Sequence, residues 1–334
     1  MTAQRQLRSY CFHGLKLQVS CSPAMAVCLD ARFRMLSTDR SCAETVLFDF
    51  QAVADPSQHT VEKPLGNERP FYEMQCGEAS YFEETDEMYV SFRNGVRARS
   101  KPHSDYVSIS SVEADPKNLF VASHLVLTLV LVEILKRRGW YSLHAAAFSE
   151  NGKAILIPGT SGAGKSTLSI ALLRAKFDYL TDDMVFLGRG PQGLTARGLV
   201  EDVDVSDQTI RFFPELDFML NSTKAAGFTK KQVRADDVYG TKVAAEARPA
   251  MIVLPHISGK PKSSITPIES HEALLEIVPN MLLTEQRACQ AHVRVFAELV
   301  KQTACYRLET GQDFGHIPIL FRELLHCERE EVHA

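Results

Sequence analysis

The chain has 334 residues, 45% of them hydrophobic and 23% charged, with a formal net charge of −4. That length holds two domains with separate cores, and the mildly acidic balance excludes a general nucleic-acid binder, which is basic as a rule. No terminal stretch joins a basic start, an apolar core and a small-residue cleavage site, so a cytoplasmic protein is expected.

Eight cysteines stand at 11, 21, 28, 42, 76, 289, 305 and 327 with no C-x-x-C pair. The spacing gives no support for metal ligation, and scattered reduced thiols are expected. Residues 1–115 contain short alternating runs, Leu15–Val19, Glu44–Phe50, Phe71–Cys76, Met88–Phe92 and Tyr106–Ser110, separated by turn signals such as Pro64-Leu65-Gly66-Asn67 and Arg93-Asn94-Gly95. Alternation of this kind marks half-buried strands, and a mostly antiparallel β-rich N-terminal domain is expected. Tyr10, His13 and His59 are candidate ligands, but a lone histidine is more often a surface or hydrogen-bonded residue, and nothing here has catalytic spacing.

A second domain is expected over 116–334. Asp115-Pro116 suits a helix start, and the pattern Leu119, Val121, Leu125, Leu127, Leu129, Val132, Leu135 is apolar almost all round, the mark of a buried helix. Its basic end, Lys136-Arg137-Arg138 before Gly139, compensates helix-end charge. The apolar run Leu125–Leu135 is too short to span a bilayer, so no membrane association is expected.

Trp140–Phe148 reads as a strand carrying His144, followed by the turn Ser149-Glu150-Asn151-Gly152. Next come the apolar run Lys153–Pro158, the loop Gly159-Thr160-Ser161-Gly162-Ala163-Gly164-Lys165-Ser166, and a helical run from Thr167 to Ala175. Strand, glycine-rich turn and helix are the context that makes G-x-x-x-x-G-K-[ST] a phosphate site. Glycines let the backbone approach an anion, and the helix start offers free amides and a positive dipole end. In that geometry Lys165 reaches the β- and γ-phosphates of ATP and the Ser166 hydroxyl completes a Mg²⁺ site. Beyond the helix, Asp182 and Asp183 follow the run Phe177–Leu180 and are placed at a strand end, where a carboxylate holds metal or accepts a hydroxyl proton. Adjacent strand residues face opposite ways, so at most one points straight at the phosphates.

Residues 188–247 are rich in charge, Gly and Pro, with Asp202, Asp204 and Asp207 close together but without an EF-hand pattern; a mobile insertion is expected. Ala250–Pro255 reads as a buried strand, Glu269–Leu283 and Thr284–Thr303 as helices, Cys305–Glu309 as a last strand and Ile317–Cys327 as a closing helix.

Leu143-His144-Ala145, the loop Gly159–Ser166, Leu180-Thr181-Asp182-Asp183, and Tyr239–Val243 with Ala247-Arg248-Pro249 resemble, in this order, the HPr kinase/phosphorylase-like serine kinases. The resemblance covers residues 140–255. It implies an α/β fold in which the β-rich N-terminal domain precedes a P-loop kinase core of the HPr kinase/PEP-carboxykinase-like type, with more antiparallel sheet than a standard NTPase. It further implies Gly159–Thr167 on ATP, Ser166 and Asp183 on Mg²⁺, Asp182 as general base, His144 against the phosphates and Arg248 stabilising transferred charge. Thr167 stands where HPr kinases usually carry an acid, and the family's carboxyl-terminal motif has no clear match. The chain is therefore more similar to divergent HPr-kinase-related proteins, among them kinases of lasso-peptide precursors. The partner implied is a peptide or protein with an acceptor serine; a homo-oligomer stays open. Two other functions fit the same loop, an ATP-hydrolysing switch and a small-molecule kinase.

Overall fold

The computed structural model describes residues 5–36, 42–74, 77–93, 95–101, 103–191, 193–284 and 286–331. The protein is a mixed α/β chain that divides into two compact units. The first comprises the chain up to Arg138 with Ala225–Thr229 and Leu283–Cys289, and the second the remainder. The division falls after the apolar helix, at 138/139, and not at 115/116.

In the first unit, β1 (Gln6–Phe12), β2 (Leu15–Cys21), β3 (Glu44–Val53), β4 (Glu68–Met74), β5 (Gly77–Phe82), β6 (Glu87–Phe92), β7 (Val96–Ser100) and β8 (Tyr106–Val112) form one eight-stranded sheet ordered β1-β2-β3-β8-β7-β6-β5-β4. Alternate residues of β2 (Leu15, Leu17, Val19, Cys21) are buried, as period-two patterning requires. The expectation of antiparallel pairing holds for the hairpins, but β3 runs parallel to both β2 and β8. Between β2 and β3 lies an unforeseen helix, α1 (Pro23–Arg32), started by the Ser22 side chain accepting from the Met25 amide at 3.1 Å. Cys11 and Cys42 are joined in a disulfide, which corrects the expectation of wholly reduced thiols. Cys76 and Asn94 lie outside the described residues.

The helix α2 (Pro116–Phe120) begins as foreseen, with the Asp115 carboxylate accepting from the Lys117 amide at 2.9 Å. It passes through a π-helical stretch, Val121–Val126, into α3 (Leu127–Lys136). Buried Arg32 donates to the Ser123 and His124 carbonyls and to the Thr128 hydroxyl, supplying donors to carbonyls of that stretch. The continuous helical run Pro116–Lys136 has 21 residues, and an 18-residue window within it has a mean hydropathy of 2.1, so by length and composition it is long and apolar enough to cross a bilayer, unlike the shorter run Leu125–Leu135; 72% of that window is buried within the protein. The basic end is absorbed internally: Lys136 pairs with Glu133 at 2.6 Å and Arg138 with Glu44 at 2.6 Å.

The second unit is built on β9 (Tyr141–Glu150), β10 (Lys153–Pro158), β11 (Asp178–Thr181), β12 (Met184–Gly190), β13 (Gly193–Gly198), β16 (Arg248–Ile257), β17 (Ser264–Pro267) and β18 (Ala304–Thr310). Their order is β13-β12-β9-β10-β16-β18-β17, with β11 pairing β9 beside that path. The central β10 is antiparallel to β9 and parallel to β16, which is parallel to β18. Ile155, Leu156 and Ile157 are fully buried, as a central strand covered on both faces demands. The helices are α4 (Lys165–Arg174), α5 (Asp207–Arg211), α6 (Ala235–Tyr239), α7 (Ser270–Ile277), α8 (Gln286–Gln302), whose first turn belongs to the first unit, and α9 (Ile317–Glu331).

The stretch expected to be a mobile insertion is built structure. It holds β13, a two-stranded ribbon of β14 (Val203–Val205) and β15 (Lys231–Val233), α5 and α6. Val203, Val205, Ile210, Phe213, Leu216 and Val233 are buried there and give the segment its own apolar anchor.

Candidate functional site

The glycine-rich loop leaves the carboxyl end of β10 and enters α4. Gly162 and Gly164 adopt φ of +90° and +94°, a region where a side chain is strained, so glycine is required at both. No side chain caps the start of α4, which leaves its first-turn amides free to meet an anion. At Gly159 a Cβ would lie 3.0 Å from the Ala163 Cβ and 3.7 Å from Pro255, and at Gly164 3.5 Å from Ile257. The end of β16 therefore flanks the loop.

Lys165 is 8% exposed. Its ammonium donates to the carbonyls of Gly159 and Thr160 (3.3 Å to the latter) and lies 3.0 Å from His144 Nε2. The other ring nitrogen, Nδ1, lies 3.0 Å from Asp183 Oδ1. His144 reaches this position because β9 and β12 pair with His144 opposite Met184, one residue past Asp183. Loop lysine, histidine and carboxylate thus form one connected chain. The Ser166 hydroxyl makes no hydrogen bond to a described residue, which suits it to a ligand.

Asp182 and Asp183 occupy the bend between β11 and β12. The Thr181 hydroxyl organises that bend, donating to the Leu199 carbonyl at 2.8 Å and accepting from the Asp183 and Met184 amides at 3.2 Å each. The two carboxylates differ in environment: Asp182 is 8% exposed, whereas the Asp183 side chain is 59% exposed. Burial, then the neighbouring charges of Asp183 and Asp204, push the Asp182 carboxyl well above the usual carboxylate range. Burial likewise lowers the pKa of Lys165, against the pull of Asp183.

Arg248 does not join this group. It opens β16 in register with Lys153 at the amino end of β10, while the loop emerges after Pro158. At about 3.3 Å per residue the separation along the strands is roughly 16 Å. A strand start and a strand end look alike in sequence, and parallel pairing puts this arginine at the end of the strands opposite the loop.

Two residues with no recognised sequence signal come to the site on the ribbon. Asp204 is largely buried with Oδ1 lacking a hydrogen-bond partner, and burial, with Asp183 adding to it and Lys230 opposing, raises its carboxyl to about 6. Lys230 immediately precedes β15, and its charge acts on Lys165, Asp182 and Asp204. Among the described residues no cluster of three or more His, Cys, Asp or Glu has the arrangement of a metal centre. The Ser166 hydroxyl and the exposed Asp183 carboxylate remain compatible with an ion that brings its own phosphate ligands.

No protein-family model matches the chain, and no curated protein does. Among solved structures, the Hpr(Ser) kinase/phosphatase from Coxiella burnetii aligns with 13% identity over 58% of this chain and 99% of that one, at a TM-score of 0.29.

Proposed function

We propose that the protein is an ATP-dependent kinase that transfers the γ-phosphoryl group to a serine-type hydroxyl of a peptide or protein, a ribosomally made precursor peptide of the lasso type being one such acceptor. The observation that carries this reading is the chain from the loop through Lys165 and His144 to Asp183, with contacts of 3.0 Å on both sides of the imidazole. A loop built only to bind nucleotide has no need of a carboxylate wired to its lysine.

The loop amides and the free amides of α4 bind the phosphates, and Lys165 exchanges its carbonyl partners for phosphate oxygens. Ser166 and Asp183 would hold a Mg²⁺ ion arriving with ATP, which would supply charge neutralisation when bound. His144 orients Lys165 and holds Asp183 in place. Asp182, on the same bend, accepts the acceptor hydroxyl's proton as the new O–P bond forms and the β–γ bridge bond breaks toward ADP. Incubation with γ-labelled ATP and candidate acceptors, including peptides encoded beside the gene, tests the reading. Label on a serine side chain is the expected result, and slow phosphate release with no labelled acceptor would turn the assignment to a hydrolytic switch.

A further inference from the structure

The ribbon β14–β15 extends past its paired residues toward the glycine-rich loop. Val205 pairs with Lys231, so Lys230 lies one step on, opposite Ser206. The Ser206 hydroxyl lies 3.1 Å from the Thr209 hydroxyl, which in turn is 3.2 Å from the Thr167 hydroxyl in the first turn of α4. This relay ties the end of the ribbon to the helix start that follows Ser166.

The two neighbouring lysines have different fates. Lys231 is buried, pairs with Asp207 at 2.9 Å and donates to the Leu220 carbonyl at 2.7 Å; its role is to hold the ribbon together. Lys230 is half-exposed and has no carboxylate within ion-pair distance among the described residues. Its field nonetheless falls on Lys165, Asp182 and Asp204 at once. Two ammonium groups close enough to feel each other repel until an anion separates them. Arg248, in register with the amino end of β10, is not placed to share that anion with Lys165.

We propose that Lys230 is the second cationic ligand of the terminal phosphoryl group, reaching it from the ribbon while Lys165 reaches it from the loop. The inference rests on the nucleotide reading above and adds to it the group that distinguishes ATP from ADP. A lysine placed on the γ-phosphate and not on the loop-bound phosphates contributes to ATP affinity alone, and charge-assisted contacts of this kind are worth about tenfold or more in binding.

Calorimetric titration of the full-length protein with ATP and with ADP tests it. In Lys230→Ala, ATP affinity is expected to fall about tenfold or more while ADP affinity changes less than about twofold. Lys230→Arg should recover most of the ATP affinity, and Arg248→Ala should alter neither ligand. Thermal melts of each variant establish that the fold survives. Unchanged ATP affinity in Lys230→Ala, or an equal fall for ATP and ADP, overturns the inference and leaves the nucleotide reading intact. Absence of nucleotide binding by the unaltered protein overturns both.

Discussion

At the scale of single residues, the site works through charges that have been taken out of water. Lys165 is held by two loop carbonyls and an imidazole, so its replacement removes the proposed phosphate ligand and a member of the chain to Asp183. Lys165→Ala is expected to abolish phosphoryl transfer and weaken ATP binding by on the order of tenfold or more; near-normal affinity and turnover in calorimetry and a coupled assay would remove the kinase assignment. Asp182→Asn keeps shape but cannot accept a proton, and a lost general base costs about 10²–10⁴ in rate. Asp183→Asn should be altered by raising Mg²⁺ or substituting Mn²⁺, whereas Asp182→Asn should not, and wild-type transfer rates in both would contradict the mechanism. Asp204 shows the cost of the arrangement. Its carboxyl titrates at about 6 in the folded protein against 3.8 ordinarily, because burial penalises its charge. The folded state therefore holds that proton more tightly than the unfolded chain, and stability falls as pH rises from about 4 to about 6 and stays lower above. Asp204→Asn should raise stability above pH 7 by on the order of 1–2 kcal/mol, with the gain shrinking toward pH 4. Melting temperatures measured across that range, with no pH-dependent gain, would show that the carboxylate is solvated.

At the scale of elements, what was legible in the sequence was what is local. The run Lys153–Pro158, the glycines and the apolar face of α4 lie within a few residues of each other, and each has its own physical signature. What was not legible depends on pairing at a distance. Alternation in β2, β3 and β8 is blind to strand direction, so their parallel pairing could not be read. The ribbon strands are three residues each and meet across Val203 and Val233, too short and too far apart to leave a pattern. Arg248 was misplaced for the same reason, since only the register with Lys153 shows which end of the strands it occupies. One long-range contact fixes the position of the aspartate bend. Gly198, the last residue of β13, lies so close to β11 that a Cβ there would sit 2.0 Å from the Leu180 carbonyl oxygen, a backbone atom that cannot move aside alone. Gly198→Ala should push β11 and β13 apart and displace the bend at Thr181, whose hydroxyl bonds the neighbouring Leu199 carbonyl. A destabilisation of about 1–3 kcal/mol is expected in denaturant titration, with reduced phosphoryl transfer; a variant with unchanged stability would mean the two strands separate freely.

At the scale of the whole molecule, the chain is not a string of two independent segments. The first unit takes in Ala225–Thr229 and Leu283–Cys289, which come long after Arg138 in sequence. Both segments fill defined places in it. Phe228 packs its ring on Phe120 and His124, with centroids 4.5 and 5.0 Å away. Thr284 lies on the buried pair of Glu133 and Lys136: its hydroxyl donates to Glu133 Oε2 at 3.0 Å and accepts from the Lys136 ammonium at 3.0 Å. A buried ion pair is tolerated only when its remaining donors and acceptors are satisfied, so Thr284 belongs to the stability of α3. Thr284→Val keeps the volume but leaves Lys136 without one acceptor and Glu133 without one donor, and should cost about 1–3 kcal/mol. A fragment ending at Arg138 loses Thr284 and Phe228 together. It exposes the Phe120–His124 face and strands the ion pair, although every strand of the first sheet is present. Such a fragment is expected to unfold at lower temperature than the first unit does within the full chain and to bind a hydrophobic dye. Equal melting of the fragment and of that unit in the full-length protein, followed by calorimetry, would show that the two late segments are passengers.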